Sequence, residues 1–420
     1  MAGIPVIADV YSTLDGLNNV VDDLATQVVD GVIGSGCIDF SQLKFTMDPE
    51  SDMTVKEIIQ YHGYPVEEYD VTTNDGYILT IQRIAHGLGG PGTTPRKPVI
   101  IQHGFLCSSA IWVINTPDKN LAYILAEEGY DVWITNVRGS RFGRKHVSLD
   151  PEDGEFWKFS VDEMIKYDMT ALIDFVLNTT GFDQIHYVGH SMGTMIVFGL
   201  LASIPEYNAK IRDVVALAPA STLTHMRSPL RMLVPFMDNM QFLHQLVGGE
   251  EFLPNDKLAR FFSAAMCKWP LSREIYSTLM FVILGSNKEQ MNMTRLPVFL
   301  HHTPAGTSLE NFKHLLQIHK SQRFQHYDHG KAHNFRFYGQ YEPPDYDVSQ
   351  ITVPVALFWS DGDILVDPKD VADLDSKLKN VILNYRVPNT KFTHVDFMWA
   401  KDVKPLLYDK VVEVMKSQWY

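Results

Sequence analysis

A chain of 420 residues with 45% hydrophobic and 20% charged content has the composition of an ordinary globular protein, and its length suits one large α/β unit carrying an inserted subdomain. Its formal net charge of -14 argues against nucleic-acid binding, which needs a basic footprint. It argues equally against simple electrostatic attachment to an anionic membrane, so contact with a lipid surface would have to be apolar. Three cysteines, Cys37, Cys107 and Cys267, cannot all pair within one chain and match no zinc spacing. No apolar run is long enough to span a bilayer.

In residues 1–53, Leu14, Leu17, Val21, Leu24 and Val28 fall at alternating three- and four-residue steps among Asp15, Asp22, Asp23 and Asp30. That spacing predicts an acidic amphipathic helix in an N-terminal extension, packed on the main body. The opening residues lack a basic stretch, and their apolar run is too short for a signal peptide. Either a cytosolic protein or a chain numbered from near a mature terminus fits. Two glycosylation sequons, at Asn178 and Asn292, hint at secretion.

From Tyr64 the pattern becomes strand-rich. Glu68–Thr72 and Tyr77–Ile84 flank Asn74-Asp75-Gly76, a hairpin signal. Short buried strands are predicted at 97–102, 130–136 and 185–188, and further strands at 214–218, 353–359 and 381–387. Helices are predicted at 121–128, 159–177, 194–202 and 401–417. The alternation implies a mainly parallel sheet covered on both faces, formed by residues 54–220 and 348–420. Residues 221–347, rich in Phe, Met, Leu and His, interrupt it as a helical insertion, clearest at 230–242, 258–266 and 276–284.

The strand at 185–188 runs into Gly189-His190-Ser191-Met192-Gly193, and a helix follows. A G-x-S-x-G turn between a strand and a helix is the context of a nucleophile held at a sharp, strained turn, with small flanking residues where backbones crowd. It exposes the Ser191 hydroxyl above the sheet edge and leaves backbone N–H groups free for an oxyanion. The strand at 97–102 ends in His103-Gly104-Phe105, where the second oxyanion donor is expected. The backbone N–H groups of Phe105 and Met192 are assigned to this role, and His103 is read as bracing the loop. A serine–acid–histidine order then requires an acid at a late strand end. Asp361 and Asp363 both qualify, and Asp396 is less suitable because it shares the base's own loop. His394 is the only histidine after residue 333. Neither a cofactor nor a metal is called for: His326, His329 and His333 have helix-compatible spacing, but Gly330 interrupts it, and a solvated loop is the simpler reading.

With these residues in place, the chain resembles the acid lipase family, which includes gastric and lysosomal acid lipases and insect relatives. The resemblance runs from about Thr54 to the C-terminus. It rests on Gly63-Tyr64-Pro65, Gln102-His103-Gly104, Gly129-Tyr130-Asp131-Val132-Trp133, Asn136-Val137-Arg138-Gly139, Tyr187-Val188-Gly189-His190-Ser191, Pro304-Ala305-Gly306-Thr307-Ser308 and His394-Val395-Asp396-Phe397. It implies the α/β-hydrolase fold, with the nucleophile on Ser191, the acid on Asp363 and the base on His394. Asp363 is favoured over Asp361 because Ile364-Leu365-Val366-Asp367-Pro368 follows it in the family's pattern.

The resemblance further implies that 221–347 is a cap and lid, that the protein is secreted or lysosomal and glycosylated, and that its substrate is a neutral lipid at a lipid–water interface. Apolar residues expected on the inner face of the cap are Phe236, Met237, Phe242, Leu243, Phe261 and Phe262, since a bulky ester with few polar handles must be bound by apolar burial. The sequence departs from the family where Met192 replaces a frequent Gln, and where no cysteine near Ile275 partners Cys267. Two other readings compete: a storage or lipid-carrier protein that keeps a lipase fold, and an esterase for small esters.

Overall fold

The computed structural model describes residues 48–239, 244, 249–253, 284–285 and 287–418. The predicted N-terminal helix, Cys37, Cys267 and the cap residues Phe242, Leu243, Phe261 and Phe262 lie outside the described residues, as do the helices expected at 258–266 and over most of 276–284.

The described core opens at a capping box. The Thr54 hydroxyl accepts from the Glu57 N–H while the Glu57 carboxylate accepts from the Thr54 N–H, which starts helix α1 (Val55–Tyr61). A hairpin follows. β1 (Glu67–Thr72) and β2 (Tyr77–Ile84) pair antiparallel with Thr72 opposite Ile78, and Gly76 takes the positive φ of +100° that the turn needs.

The next strands are β3 (Pro98–Gln102), β4 (Asp131–Thr135), the two-residue β5 (Lys145–His146), β6 (Ile185–His190) and β7 (Ile211–Leu217). Every residue of β3, β4 and β6 is buried, as expected of strands covered on both faces. The covering helices include α2 (Leu121–Glu127), α3 (161–180) and α4 (Met192–Ser203); α3 contains a wider π turn over Met164–Met169.

Between β7 and the next strand of the main sheet lies the insertion. It begins with a 3-10 turn over Pro229–Phe236, where the sequence spacing predicts an α-helix over 230–242. Pro235, inside the turn, has no N–H to give and its ring crowds the preceding turn, so regular α hydrogen bonding cannot run through. Next come β8 (Glu251–Phe252), α5 (Leu296–His302) and β9 (Thr307–Ser308), which pairs antiparallel with β8, then α6 (Leu309–Ser321) and α7 (Lys331–Tyr338). The chain returns through β10 (Val355–Trp359), α8 (Pro368–Lys377), β11 (Val381–Arg386) and α9 (Asp409–Ser417).

The sheet order is β1-β2-β4-β3-β6-β7-β10-β11, with β5 on β2. β1–β2 and β2–β4 are antiparallel, and every pair from β4–β3 to β10–β11 is parallel. Parallel strands put their carboxyl ends at one edge, where open α/β sheets gather their sites. The loops holding Phe105, Ser191, Asp363 and His394 leave β3, β6, β10 and β11, so all four emerge there.

Candidate active site

Ser191 lies between β6 and α4 with φ 54° and ψ -121°, a region that disfavours any side chain. Such a conformation costs on the order of 1–3 kcal/mol and persists only when neighbours enforce it. Here they do. The Ser191 N–H donates to the Leu217 carbonyl of β7 at 3.0 Å, and its carbonyl accepts from the Thr194 N–H at 2.8 Å and the Thr194 hydroxyl at 2.6 Å. The flanking glycines are steric necessities: a Cβ on Gly189 would sit 2.9 Å from the Gly193 carbonyl carbon, and one on Gly193 would sit 2.6 Å from the Gln102 oxygen.

The Ser191 Oγ stands 2.8 Å from His394 Nε2, and His394 Nδ1 stands 2.7 Å from Asp363 Oδ2. The two contacts select a tautomer. Nδ1–H donates to the carboxylate, which leaves Nε2 to accept from the serine hydroxyl. The other Asp363 oxygen accepts from the N–H groups of Leu365 at 2.8 Å and Val366 at 3.0 Å, so the carboxylate is fixed on both sides.

The alternative acids are engaged elsewhere. Asp361 is paired with Arg386, its Oδ2 accepting from Nε at 2.8 Å. Asp396 is buried behind the base; its Oδ2 accepts from the Thr393 N–H at 2.7 Å and the Asn287 amide at 2.9 Å. Burial pushes its carboxyl up to about 6 against those hydrogen bonds, and the Asp363 charge adds to the shift.

His190 and His103 brace the site. His190 is buried and neutral, because burial and the adjacent His394 hold its imidazole well below its ordinary range, and its Nε2–H donates to the His394 carbonyl at 3.1 Å. His103 is pushed down to about 4 by burial. Its Nδ1–H donates to the Gly104 carbonyl at 2.8 Å while Nε2 accepts from the Val137 N–H at 3.4 Å. The loop it braces passes directly over the serine: a Cβ on Gly104 would meet the Ser191 Cβ at 2.9 Å. Among the described residues, the N–H groups of Phe105 and Met192 have no hydrogen-bond acceptor.

The insertion meets this loop through an apolar cluster. Met237, Phe252, Leu309, Phe312 and Leu316 are buried together, with Phe105, Leu106, Leu233, Val234 and Leu253 packed against them. The rings of Phe252 and Phe312 stack at 4.3 Å, and Phe105 lies 6.0 Å from each. Phe236 beside them is half-buried. The buried Asn311 of α6 reaches the Met192 sulfur at 3.5 Å.

Sequence reasoning did not single out Phe252, Asn311, Phe312 or Arg227. Leu309, Phe312 and Leu316 have the spacing of a helix face, which was a usable signal. Arg227 holds the acid loop from outside. Its Nη2 donates to the carbonyls of Asp363 at 2.6 Å and Asp361 at 3.0 Å, and its Nε lies 3.0 Å from Asp367 Oδ2.

Of the two sequon asparagines, Asn178 is exposed on α3, and Asn292 is half-buried with its Oδ1 accepting from the Thr294 hydroxyl at 2.7 Å. Cys107 is a buried free thiol. His326, in the histidine-rich loop, lies 3.3 Å from Asp162, and no metal-holding group occurs among the described residues.

Residues 97–399 match the family model described as alpha/beta hydrolase fold, and residues 55–116 match the partial alpha/beta-hydrolase lipase region. The chain is 41% identical over 374 residues to human lysosomal acid lipase/cholesteryl ester hydrolase, covering 88% of this chain and 92% of that protein. It is 40% identical over 371 residues to rat gastric triacylglycerol lipase (88% and 93%) and 40% identical over 372 residues to human lipase member K (88% and 92%). A crystal structure from Sulfolobus solfataricus superposes with a TM-score of 0.56 at 14% identity, covering 84% of this chain and 94% of that one, a likeness of fold alone.

Proposed function

Because this chain belongs to the α/β-hydrolase fold family and, within it, to the acid lipases, we propose that it hydrolyses neutral-lipid esters, triacylglycerols and steryl esters, through Ser191, His394 and Asp363. The observation that carries the reading is the continuous relay from Ser191 Oγ through His394 to Asp363, at 2.8 and 2.7 Å, set in a chain whose relatives are lipases along nearly their whole length.

In this mechanism Ser191 Oγ attacks the ester carbonyl carbon while His394 Nε2 takes its proton. The oxyanion that forms is held by the N–H groups of Phe105 and Met192, a donor pair of which each member is worth on the order of 3 kcal/mol. Collapse expels the alcohol, which receives the proton from His394, and leaves an acyl ester on Ser191. Water, deprotonated by the same imidazole, attacks that ester. The fatty acid departs and Ser191 recovers its proton. Asp363 holds the tautomer and stabilises the imidazolium in both halves.

The insertion, 221–347, acts as a cap. Its Met237, Phe252 and Phe312 pack as a buried apolar cluster against Phe105, which seats the oxyanion loop under an apolar cover of the kind a substrate with few polar groups requires. A secreted or lysosomal compartment, with Asn178 and Asn292 as glycan acceptors, fits the lipase relatives. Among the described residues, no helix is long and apolar enough to cross a membrane.

The test compares wild type with Ser191→Ala on emulsified trioleoylglycerol and cholesteryl oleate. Hydrolysis by wild type, with less than roughly a thousandth of it left in the variant, is the expected result. Absence of turnover together with no labelling of Ser191 by a fluorophosphonate would move the assignment to a lipid carrier. Turnover of short soluble esters alone would move it to a small-ester esterase.

A further inference from the structure

Residues 329–341 read His-Gly-Lys-Ala-His-Asn-Phe-Arg-Phe-Tyr-Gly-Gln-Tyr. They contain Lys331, Arg336 and two histidines but no acid, in a chain with 50 Asp and Glu against 36 Lys and Arg. Asp328 and Glu342 flank the segment at its two ends, Asp328 accepting from Asn334 at 2.7 Å, so the basic side chains lie between them on the helix. The segment also exposes its aromatics: Phe335 is 53% exposed, Phe337 64% and Tyr341 63%.

Helix α7 within the segment is eight residues long, bounded by Gly330 and Gly339 in positive-φ conformations. An isolated helix of that length is unstable in water and normally survives by burying an apolar face. This one is held instead by polar contacts. Asn334, its one buried residue, donates to Asp328 Oδ1 at 2.7 Å and the Tyr341 carbonyl at 3.0 Å, and accepts from the His329 N–H at 2.9 Å. The Tyr338 hydroxyl donates to the Tyr327 carbonyl at 2.9 Å.

At roughly 100° per residue, Asn334 and Tyr338 share the face toward the body, Arg336 points away, and Phe335 and Phe337 stand on the two flanks. Each flanking ring is stacked: Phe335 on Tyr341 at 5.1 Å and Phe337 on His329 at 4.6 Å. The rings are thus ordered on the outside of the molecule before any partner arrives, which lowers the entropic cost of docking. Among the described residues, neither Lys331 nor Arg336 has a carboxylate partner.

We propose that 329–341 is a docking surface for the lipid–water interface that carries the substrate, with Phe335, Phe337 and Tyr341 entering the interface and Lys331 and Arg336 meeting its anionic groups. Exposed aromatic rings beside basic side chains are the chemistry of an element that lies in a lipid interface. The inference rests on the reading that the substrate is an aggregated lipid ester. That reaction supplies the complementary charge, since each turnover leaves a fatty-acid carboxylate at the surface.

The segment is tied to the site through shared contacts. Tyr338 lies 3.5 Å from Asp162, the carboxylate that His314 of α6 approaches at 3.8 Å. One turn earlier on α6, Asn311 touches Met192 beside the nucleophile.

The test measures sedimentation with phosphatidylcholine vesicles, with and without oleic acid, alongside hydrolysis of emulsified trioleoylglycerol and of a soluble short-chain ester. Phe335→Ser with Phe337→Ser should weaken vesicle binding by roughly tenfold or more and slow emulsion hydrolysis in step, while the soluble ester is cleaved at the wild-type rate. Lys331→Glu with Arg336→Glu should lose binding chiefly to the vesicles that contain oleic acid, and less as salt is raised. Vesicle binding needs no turnover, so it can succeed even if the ester-hydrolase reading fails. Unchanged binding and unchanged emulsion hydrolysis in both double variants overturn the proposal. So does a change of oligomeric state in the serine variants without loss of vesicle binding, which would give this face to a second copy of the chain.

Discussion

The guanidinium of Arg227 donates to the main-chain oxygen of Asp363 at 2.6 Å, so a half-exposed residue at the stem of the insertion holds the loop that carries the candidate acid. The hold is reinforced along the backbone, where the N–H groups of Arg227 and Ser228 both donate to the Ile364 carbonyl, at 2.8 and 2.9 Å. The stem and the acid loop therefore form one unit, and movement of one displaces the other. Arg227→Ala should lower kcat on a soluble ester by roughly tenfold, in the range for loss of a charged hydrogen-bond donor, with KM little changed. Arg227→Lys should restore part of the rate. Equal losses in both variants together with a lowered Tm would indicate general destabilisation.

Asp361 and Asp363 stand two residues apart on the same loop, yet one meets Arg386 and the other His394. Asp363→Asn should reduce kcat by about ten-thousandfold, since an amide cannot hold the same imidazole tautomer or stabilise the imidazolium. Asp361→Asn breaks a partly exposed ion pair and should leave kcat within a few-fold of wild type. The reverse ranking in a steady-state assay would refute the assignment.

Ser191 was legible because the elbow is a local device: its glycines, strand and helix all lie between Ile185 and Ser203. His394 was legible by elimination. Asp363 could not be separated from Asp361 by pattern alone, because the choice depends on where Arg386, 25 residues beyond Asp361, places its guanidinium. The same limit hid the apolar cluster. Leu309, Phe312 and Leu316 announce a helix face, but only the tertiary fold shows that it turns toward Phe105. Helix α1 was missed for another reason. Its signal, Thr54 followed by Glu57, is a local capping box, too short a pattern to stand out before the strand-rich stretch that follows it. In the insertion, the apolar spacing over 230–242 suggested a regular helix, and Pro235 breaks it into a 3-10 turn.

Phe312 stacks on Phe252 at 4.3 Å, is 2% exposed, and backs Phe105 in the loop above the serine. Phe312→Ala should cost about 3–5 kcal/mol of stability, as buried aromatic truncations do, readable in a urea titration. It should also lower kcat on a soluble ester, because the cavity lets the Phe105 backbone drift from the oxyanion. Phe312→Leu refills much of the volume and should recover most of both losses. A stable Phe312→Ala protein with full activity would show that the cluster does not support the loop.

Asp396 should make the protein more stable in mild acid than at neutral pH. Its carboxyl is raised from an ordinary value near 3.8 to about 6 in the folded chain, because burial penalises the charge more than the Thr393 N–H and Asn287 amide repay. The sign follows from linkage. Below the unfolded value both states carry the proton, and the residue costs the fold nothing. Between that value and about 6 the unfolded chain releases its proton while the folded chain retains it. Stability therefore falls as pH rises through this window and stays lower above it. A shift of this size corresponds to about 3 kcal/mol. Asp396→Asn removes the titration and retains an oxygen to accept from Thr393. Relative to wild type, the variant should gain stability above pH 6 and gain little below pH 4, so that the difference between the two urea midpoints grows with pH. Activity provides a second check. The amide still closes the base loop at its Thr393 end, so kcat at mildly acidic pH should stay within a few-fold of wild type. Asp396→Ala leaves the Thr393 N–H and the Asn287 amide without their acceptor, and should lower kcat at every pH. A constant difference between the Asp396→Asn and wild-type midpoints from pH 4 to pH 7 would mean that the buried carboxyl does not titrate in this window.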